Sequence, residues 1–216
     1  MRERFDHQLE KMHMELVEMM AISEKMMALT LRELKNPANH TMIEISPLYE
    51  TVEELKKKVE ARCLKLLLQQ QPVARDLRRI SSTLEMINDI DRVGEQILNI
   101  NGMLEKVNQT DGLAYNALLE LAKVTQKALS LSVQAYIQED PALAEEMVAY
   151  DDVVDKAFKT MKKSLIKIMK LEEDETKEEE ILDLLLIAKY FEKIADHSAN
   201  AARWLIFLVT GERKGT

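Results

Sequence analysis

The sequence predicts an all-α protein built as two tandem, sequence-related three-helix bundles. Three observations carry this. Apolar residues recur at steps of three and four over long stretches, with no strand-like alternation of any length. Five glycines and four prolines in 216 residues leave few chain breaks. The third is an internal repeat: Asp91, Glu95 and Asn99 return 101 positions later as Glu192, Asp196 and Asn200. Their apolar neighbours Ile80, Leu84 and Val93 return as Ile181, Leu185 and Ile194. A chain that repeats itself at about half its length reads as two copies of one unit. The units are expected over residues 1–109 and 110–216, each of ~100 residues and large enough for its own core.

The first helix is expected from Arg2 to Lys35, with Leu9, Met12, Leu16, Met19, Ser23, Met26 and Thr30 as its inward seam. Six of the 13 methionines lie between Met12 and Met27, either filling an irregular core or lining a pliable binding groove. Asn36-Pro37-Ala38-Asn39 stops that helix. Ser46 as N-cap and Pro47 at the first helical position are expected to start the second. Val52, Leu55, Val59, Cys63 and Leu66 form its buried stripe, and Lys56-Lys57-Lys58, flanked by acids, reads as a solvated face. The third helix climbs from the corner at Gln71-Pro72 through the motif and fades over Asn108 to Gly112.

A fourth helix follows from Leu113 to Gln138, and Asp140-Pro141 supplies an N-cap and a first-position proline for a fifth that runs to Met169. The acidic stretch Leu171 to Glu175 is expected to turn. Thr176-Lys177-Glu178-Glu179 then reads as a capping box for the sixth helix, which ends near Thr210-Gly211. Short links favour antiparallel neighbours.

What repeats is a pair of carboxylates four residues apart, and both copies fall inside the apolar stripe. With Ile80 at zero and ~100° per residue, Asp91 lies near ~20° and Glu95 near ~60°. A lone carboxylate in a core costs several kcal/mol unless it is paired or metal-bound. Oxygen ligands so placed could share a hard cation, with a neighbouring helix adding more. The fifth helix offers Asp151 and Asp155; about 102 positions earlier stand Tyr49 and Glu53. The second unit therefore brings Glu192, Asp196, Asp151 and Asp155, and the first brings Asp91, Glu95 and Glu53. Magnesium, manganese, iron or zinc could be held, all-oxygen ligation suiting magnesium and the harder iron state better than zinc.

The competing reading makes these acids ion-pair partners of Arg92, Lys193, Arg78 or Lys162. His197 lies ~100° around the helix from Asp196 and points elsewhere, and the Glu-x-x-His pairing of di-iron bundles is missing. Arg75, Arg78 and Arg79, with Asp76 among them, form a solvated face or an anion or partner site. No phosphate-binding loop, nucleophile elbow or zinc-type Cys/His spacing supports an enzyme.

Composition narrows the classes further. Thirty-eight acidic against 30 basic residues give a net charge of −8, which argues against nucleic-acid binding. The lone Cys63 allows no internal disulfide and fits a reducing compartment. No secretory signal opens the chain, and runs such as Leu184 to Ala188 and Trp204 to Val209 fall far short of the ~20 residues of a membrane span. A cytoplasmic protein, peripheral to membranes only through partners, is expected.

Gln71-Pro72-Val73-Ala74-Arg75-Asp76-Leu77-Arg78 followed by Asp91-Arg92-Val93-Gly94-Glu95 resembles the first signature of the PhoU family. Glu192-Lys193-Ile194-Ala195-Asp196, with Asn200 and the ending Leu208-Val209-Thr210-Gly211-Glu212, resembles the second. The resemblance spans essentially the whole chain. It implies two tandem three-helix bundles, a homodimer, and a non-enzymatic negative regulator of phosphate uptake and of the starvation response. The implied partners are the ATPase subunit of an ATP-driven phosphate transporter and a phosphate-responsive sensor histidine kinase. It also implies iron or zinc at the acidic motifs, with Asp91 and Glu95 in one repeat and Glu192 and Asp196 in the other, and with Asp151, Asp155 and Glu53 at the acidic positions of the preceding helices. Two departures weaken the first site: the acids are reversed as Asp91 then Glu95, and Tyr49 replaces an aspartate. A metal-dependent enzyme or storage bundle, and a metal-free helical adaptor, are the alternatives.

Overall fold

The computed structural model describes residues 2–36, 41–69, 72–104, 112–170 and 175–213. They form six helices: α1 (Arg2–Lys35), α2 (Met42–Gln69), α3 (Ala74–Leu104), α4 (Leu113–Gln138), α5 (Pro141–Met169) and α6 (Glu175–Thr210). Among the described residues there is no strand. Helices α1, α2 and α3 pack on one another, as do α4, α5 and α6. The expected boundary between residues 109 and 110 lies outside the described residues.

The two bundles do not keep separate cores. The most extensive helix contact in the molecule is between α3 and α6, and α1 also packs on α4, so one apolar cluster runs through all six helices. The reason lies in the two motif helices, each of which buries residues around more than one side. Helix α3 hides Ile80, Ile87, Ile90, Val93 and Ile97, and α6 hides Ile187, Phe191, Ile194, Ala199 and Leu205. The methionines of α1 belong to this core: Met12, Met19, Met20, Met26 and Met27 are fully buried, and only Met14 of that group faces out.

Most helix ends follow their local chemistry. At the α4–α5 corner Asp140 accepts hydrogen bonds from the Ala142 and Leu143 amides at 2.8 and 3.4 Å, ahead of Pro141 at the first helical turn. Gly211 ends α6 at φ +79°, where a side chain would be strained, and its amide reaches the Phe207 carbonyl at 2.9 Å.

Two starts differ from the sequence expectation. Helix α2 begins at Met42 and carries Pro47 inside it, so Ser46 is not its N-cap. The extra turn buries Ile45, and it is anchored by the buried Thr41, whose amide donates to Glu33 at 3.0 Å and whose hydroxyl meets Asn101 at 3.2 Å. Asn101 also donates to Thr30 at 2.7 Å, tying α1, α3 and the start of α2 together. These tertiary bonds offset the backbone bond that Pro47 cannot make. Helix α6 begins at Glu175, which puts Thr176 inside the helix rather than at an N-cap. The expected stop at Pro37 to Asn39, the fading stretch from Asn108 to Asp111 and the turn from Leu171 to Asp174 lie outside the described residues.

Candidate metal sites and the lysines that reach them

The two acidic motifs lie on α3 and α6, each beside the preceding helix of its own bundle. In the second bundle the helices run antiparallel, as their short link requires. Asp151 feels the charge of Asp196, and Lys189 sits over the Phe158 ring at 5.4 Å from its centre. In the first bundle Tyr49, Glu53 and Lys56 occupy one face of α2, because steps of four and three follow the helical period. That face meets Asp91, Gly94 and Glu95 of α3.

In the first repeat, Lys56 Nζ reaches from α2 to Asp91 Oδ2 at 2.7 Å. The side chains are 27 and 14% exposed, so this pair is far more enclosed than an ordinary surface ion pair. The other oxygen, Asp91 Oδ1, is buried without a hydrogen-bond partner in the protein. Removing the lysine would leave that carboxylate enclosed without a counter-ion, only the Tyr49 hydroxyl remaining beside it, a loss of about 1–3 kcal/mol. Lys56 is thus not part of a solvated face, unlike the exposed Lys57 and Lys58 beside it. Glu95 pairs with Arg92 of its own helix at 2.5 Å, near the surface. Glu53 is half-buried on α2.

Tyr49 completes this site, and Gly94 makes room for it. A Cβ on Gly94 would stand 2.9 Å from Tyr49 Cδ2 and 3.1 Å from Cε2, so the ring rests directly on the bare helix backbone. Burial, then the charges of Asp91, Glu53 and Glu95, push the Tyr49 phenol up to about 12. The hydroxyl therefore stays protonated among these acids.

The second repeat keeps the scaffold and changes the contacts. Asp151 stands in place of Tyr49, Phe158 in place of Lys56 and Ala195 in place of Gly94. Burial, then Asp196, Asp155 and Glu192 among its neighbours, raise Asp151 above the usual carboxylate range, against the opposing pull of Arg203. Asp196, Asp155 and Glu192 thus each lie near enough to Asp151 to act on its charge. Glu192, only 13% exposed, is held by Lys189 at 2.6 Å, and Asp196 by Lys193 at 2.5 Å. Both lysines sit on α6 itself, three residues before the acid each one holds. Asp155 pairs with Lys159 at 3.0 Å. As placed, no set of three or more His, Cys, Asp or Glu among the described residues converges on a common metal position.

Of the cations expected to answer these acids, Arg92 and Lys193 do so. Lys162 is exposed, and the Arg78 guanidinium lies at the end of α6, where a Cβ on Gly211 would meet it at 2.6 Å. The two that were missed, Lys56 and Lys189, come from opposite sides: one from the neighbouring helix, one from the motif helix. His197 is structural, its Nδ1 lying 3.0 Å from Asp89 Oδ1 across the α3–α6 contact. The arginine cluster is not a plain solvated face: Arg79 pairs with Glu139, and Asp76 is buried. Arg75, Asp76 and Arg79 share a cavity of about 330 Å³ with Asp6, Glu10 and His13 of α1.

Similarity to known proteins follows the repeat. The PhoU domain model matches twice, over residues 16–102 and 118–205. A Clostridium acetobutylicum protein described as a phosphate-specific transport system accessory protein PhoU homologue is 28% identical, the alignment covering 98% of this chain and 97% of that one. The crystal structure of PhoU from Pseudomonas aeruginosa superimposes with a TM-score of 0.89 at 23% identity, over 96% of this chain and 100% of that chain. That of the phosphate transport system regulatory protein PhoU from Streptococcus pneumoniae gives 0.88 at 21%, over 98 and 100%. With the family model matched once in each repeat and a relative aligned over nearly its whole length, the chain belongs to the PhoU family.

Proposed function

We propose that this chain is a non-enzymatic regulator that restrains phosphate uptake and the phosphate-starvation response when phosphate is abundant. It would act in the cytoplasm, as a homodimer, through contacts with the ATPase subunit of an ATP-driven phosphate transporter and with a phosphate-responsive sensor histidine kinase. The observation that carries this reading is the end-to-end similarity to phosphate-specific transport accessory proteins. A net charge of −8 disfavours nucleic acid as the partner. No helix among the described residues is long and apolar enough to cross a membrane, which agrees with a role at the membrane through partner proteins.

A metal ion is part of the proposal in the second repeat. Asp151, Asp155, Glu192 and Asp196 offer oxygen donors only, suited to a hard divalent or trivalent ion. Asp151 is raised first by burial and then by the charges of Asp196, Asp155 and Glu192, and a bound cation would relieve that repulsion. Lys189 and Lys193 are same-helix, half-open partners at 44 and 41% exposure, so they can swing aside for a stronger cation at a loss of a few tenths of a kcal/mol each. The ion would supply fixed positive charge that clamps α5 to α6. A second reading, a metal-free adaptor whose acids serve as ion pairs, draws on the lysine contacts just described.

The test is the output of a phosphate-starvation reporter in phosphate-rich medium. Strains would carry the wild-type protein, no protein, or a soluble variant with Asp151, Glu192 and Asp196 changed to Ala. High output in the deletion and in the variant is the expected result. A silent deletion strain would reject the regulatory reading. High output in the deletion alone would favour the metal-free adaptor, as would stability that chelator leaves unchanged.

A further inference from the structure

We propose that the first repeat carries its cation in its own sequence: the Lys56 ammonium, bound to Asp91, does the work that a metal ion would do in the second repeat, so the two acidic motifs are not equivalent and only the second loads metal. The proposal rests on the metal reading of the second repeat and extends it to a division of labour between the copies.

The argument is an internal comparison. Both repeats place two carboxylates on the motif helix toward the preceding helix. Three positions around them differ together. The second repeat has Asp151, Phe158 and Ala195; the first has Tyr49, Lys56 and Gly94. Each change in the first repeat makes sense only with the others. An ammonium delivered from α2 gives Asp91 its counter-ion at 2.7 Å. A phenol in place of a carboxylate removes one negative charge from around Asp91, and Glu95 is answered separately by Arg92. The missing Cβ at Gly94 lets the ring of that phenol close against α3.

The lysines of the second repeat are of another kind. Lys189 and Lys193 lie on the helix of the acids they hold and are about half open. Lys56 crosses between helices to a carboxylate that is 14% exposed, and its withdrawal would leave Asp91 with no counter-ion and only the Tyr49 hydroxyl as a neighbouring donor. Glu192 and Asp91 are equally enclosed, at 13 and 14% exposure, but a metal ion would have to turn aside a lysine of the same helix in the second repeat and break a bridge between α2 and α3 in the first. Donor count points the same way, because the first repeat has one carboxylate fewer and an aromatic ring in its place.

Two measurements decide this on the full chain. Metal content after dialysis against Mn²⁺, and separately Zn²⁺, is compared for wild type, Asp91→Asn/Glu95→Gln and Glu192→Gln/Asp196→Asn. The first pair is expected to leave content unchanged and the second to abolish it. A loss of half the metal in each pair would overturn the proposal while keeping the metal reading, since both motifs would then load. On the Glu192→Gln/Asp196→Asn background, Tyr49→Asp with Lys56→Phe and Gly94→Ala is expected to restore metal uptake. Failure to restore it in a folded variant would mean that these three positions do not set the difference.

If wild type takes no metal, the reading of the second repeat fails, and a metal-free cycle still judges the first. Lys56→Met should lower Tm by several degrees, and adding Asp91→Asn should recover most of that loss. Losses that simply add would show that Lys56 is not the counter-ion of Asp91.

Discussion

Gly94→Ala should destabilise the protein, although alanine in a helix interior ordinarily stabilises it. Gly94 is buried within α3, where replacement by alanine contributes about 0.5–1 kcal/mol through backbone entropy. The new Cβ would stand 2.9 and 3.1 Å from two carbons of the Tyr49 ring, and forcing an extra carbon into a packed site costs about 1–3 kcal/mol. The ring cannot yield freely, with the charges of Asp91, Glu53 and Glu95 around it. The net expectation is a loss of about 1 kcal/mol, or a fall in Tm of about 2–4 °C for a chain of this size. In a Tyr49→Ala background the obstacle is gone, and the same change should raise Tm by a similar amount. Thermal unfolding of the four proteins gives the coupling directly, expected to be about 1–3 kcal/mol. A Gly94→Ala shift of the same sign and size in both backgrounds would refute the idea that the glycine exists to seat Tyr49.

Three further outcomes are expected. Asp140→Ala removes the acceptor of two amides at the start of α5 and should lower stability by about 1 kcal/mol, read from urea midpoints. Cys63 is buried and its thiol is pushed up to about 12, chiefly by burial; a disulfide reagent at mildly alkaline pH should leave it unmodified in the native protein and label it at once in urea. Asp151, raised by burial and then by Asp196 and Asp155, holds its proton to higher pH in the native state than in the unfolded chain. Stability from this group therefore falls as pH rises from the ordinary aspartate range through the raised value, and stays level above it. With metal removed by chelator, Asp151→Asn should unfold at higher urea than wild type at neutral pH, and the difference should vanish near about pH 3.

The fold was legible because its signals are local and periodic. The α1, α4 and α5 bounds follow from spacing, and Asp140-Pro141 and Gly211 mark ends with side-chain and backbone chemistry that a sequence displays. The start of α2 was not legible from Ser46-Pro47, because the residues that fix it, Thr41, Glu33, Asn101 and Thr30, are brought together by tertiary contacts between α1 and α3. The single core was hidden for a related reason. A helical wheel shows that α3 has a broad apolar face, but not that α6 covers part of it.

The same limit explains what was seen and missed at the acidic motifs. The wheel assigns all four motif acids to the buried stripe; Asp91 and Glu192 are largely enclosed, at 14 and 13% exposure, but Glu95 and Asp196 lie more open, at 37 and 33%. It does not tell which neighbour answers them. Lys56 looked like one of three solvated lysines because its own helix is acidic on either side; yet Tyr49, Glu53 and Lys56, spaced four and three apart, define the face that meets α3. The stronger signal was the repeat itself. Two copies of one scaffold act as each other's control, and positions that depart together between them mark where the chemistry has been changed. Tyr49, Lys56 and Gly94 against Asp151, Phe158 and Ala195 are such a set. A single departure would be drift in packing; three that meet around Asp91, in a fold held constant, mark a change in how the motif acid is answered, by a lysine from the preceding helix in the first repeat and by lysines of the motif helix itself in the second.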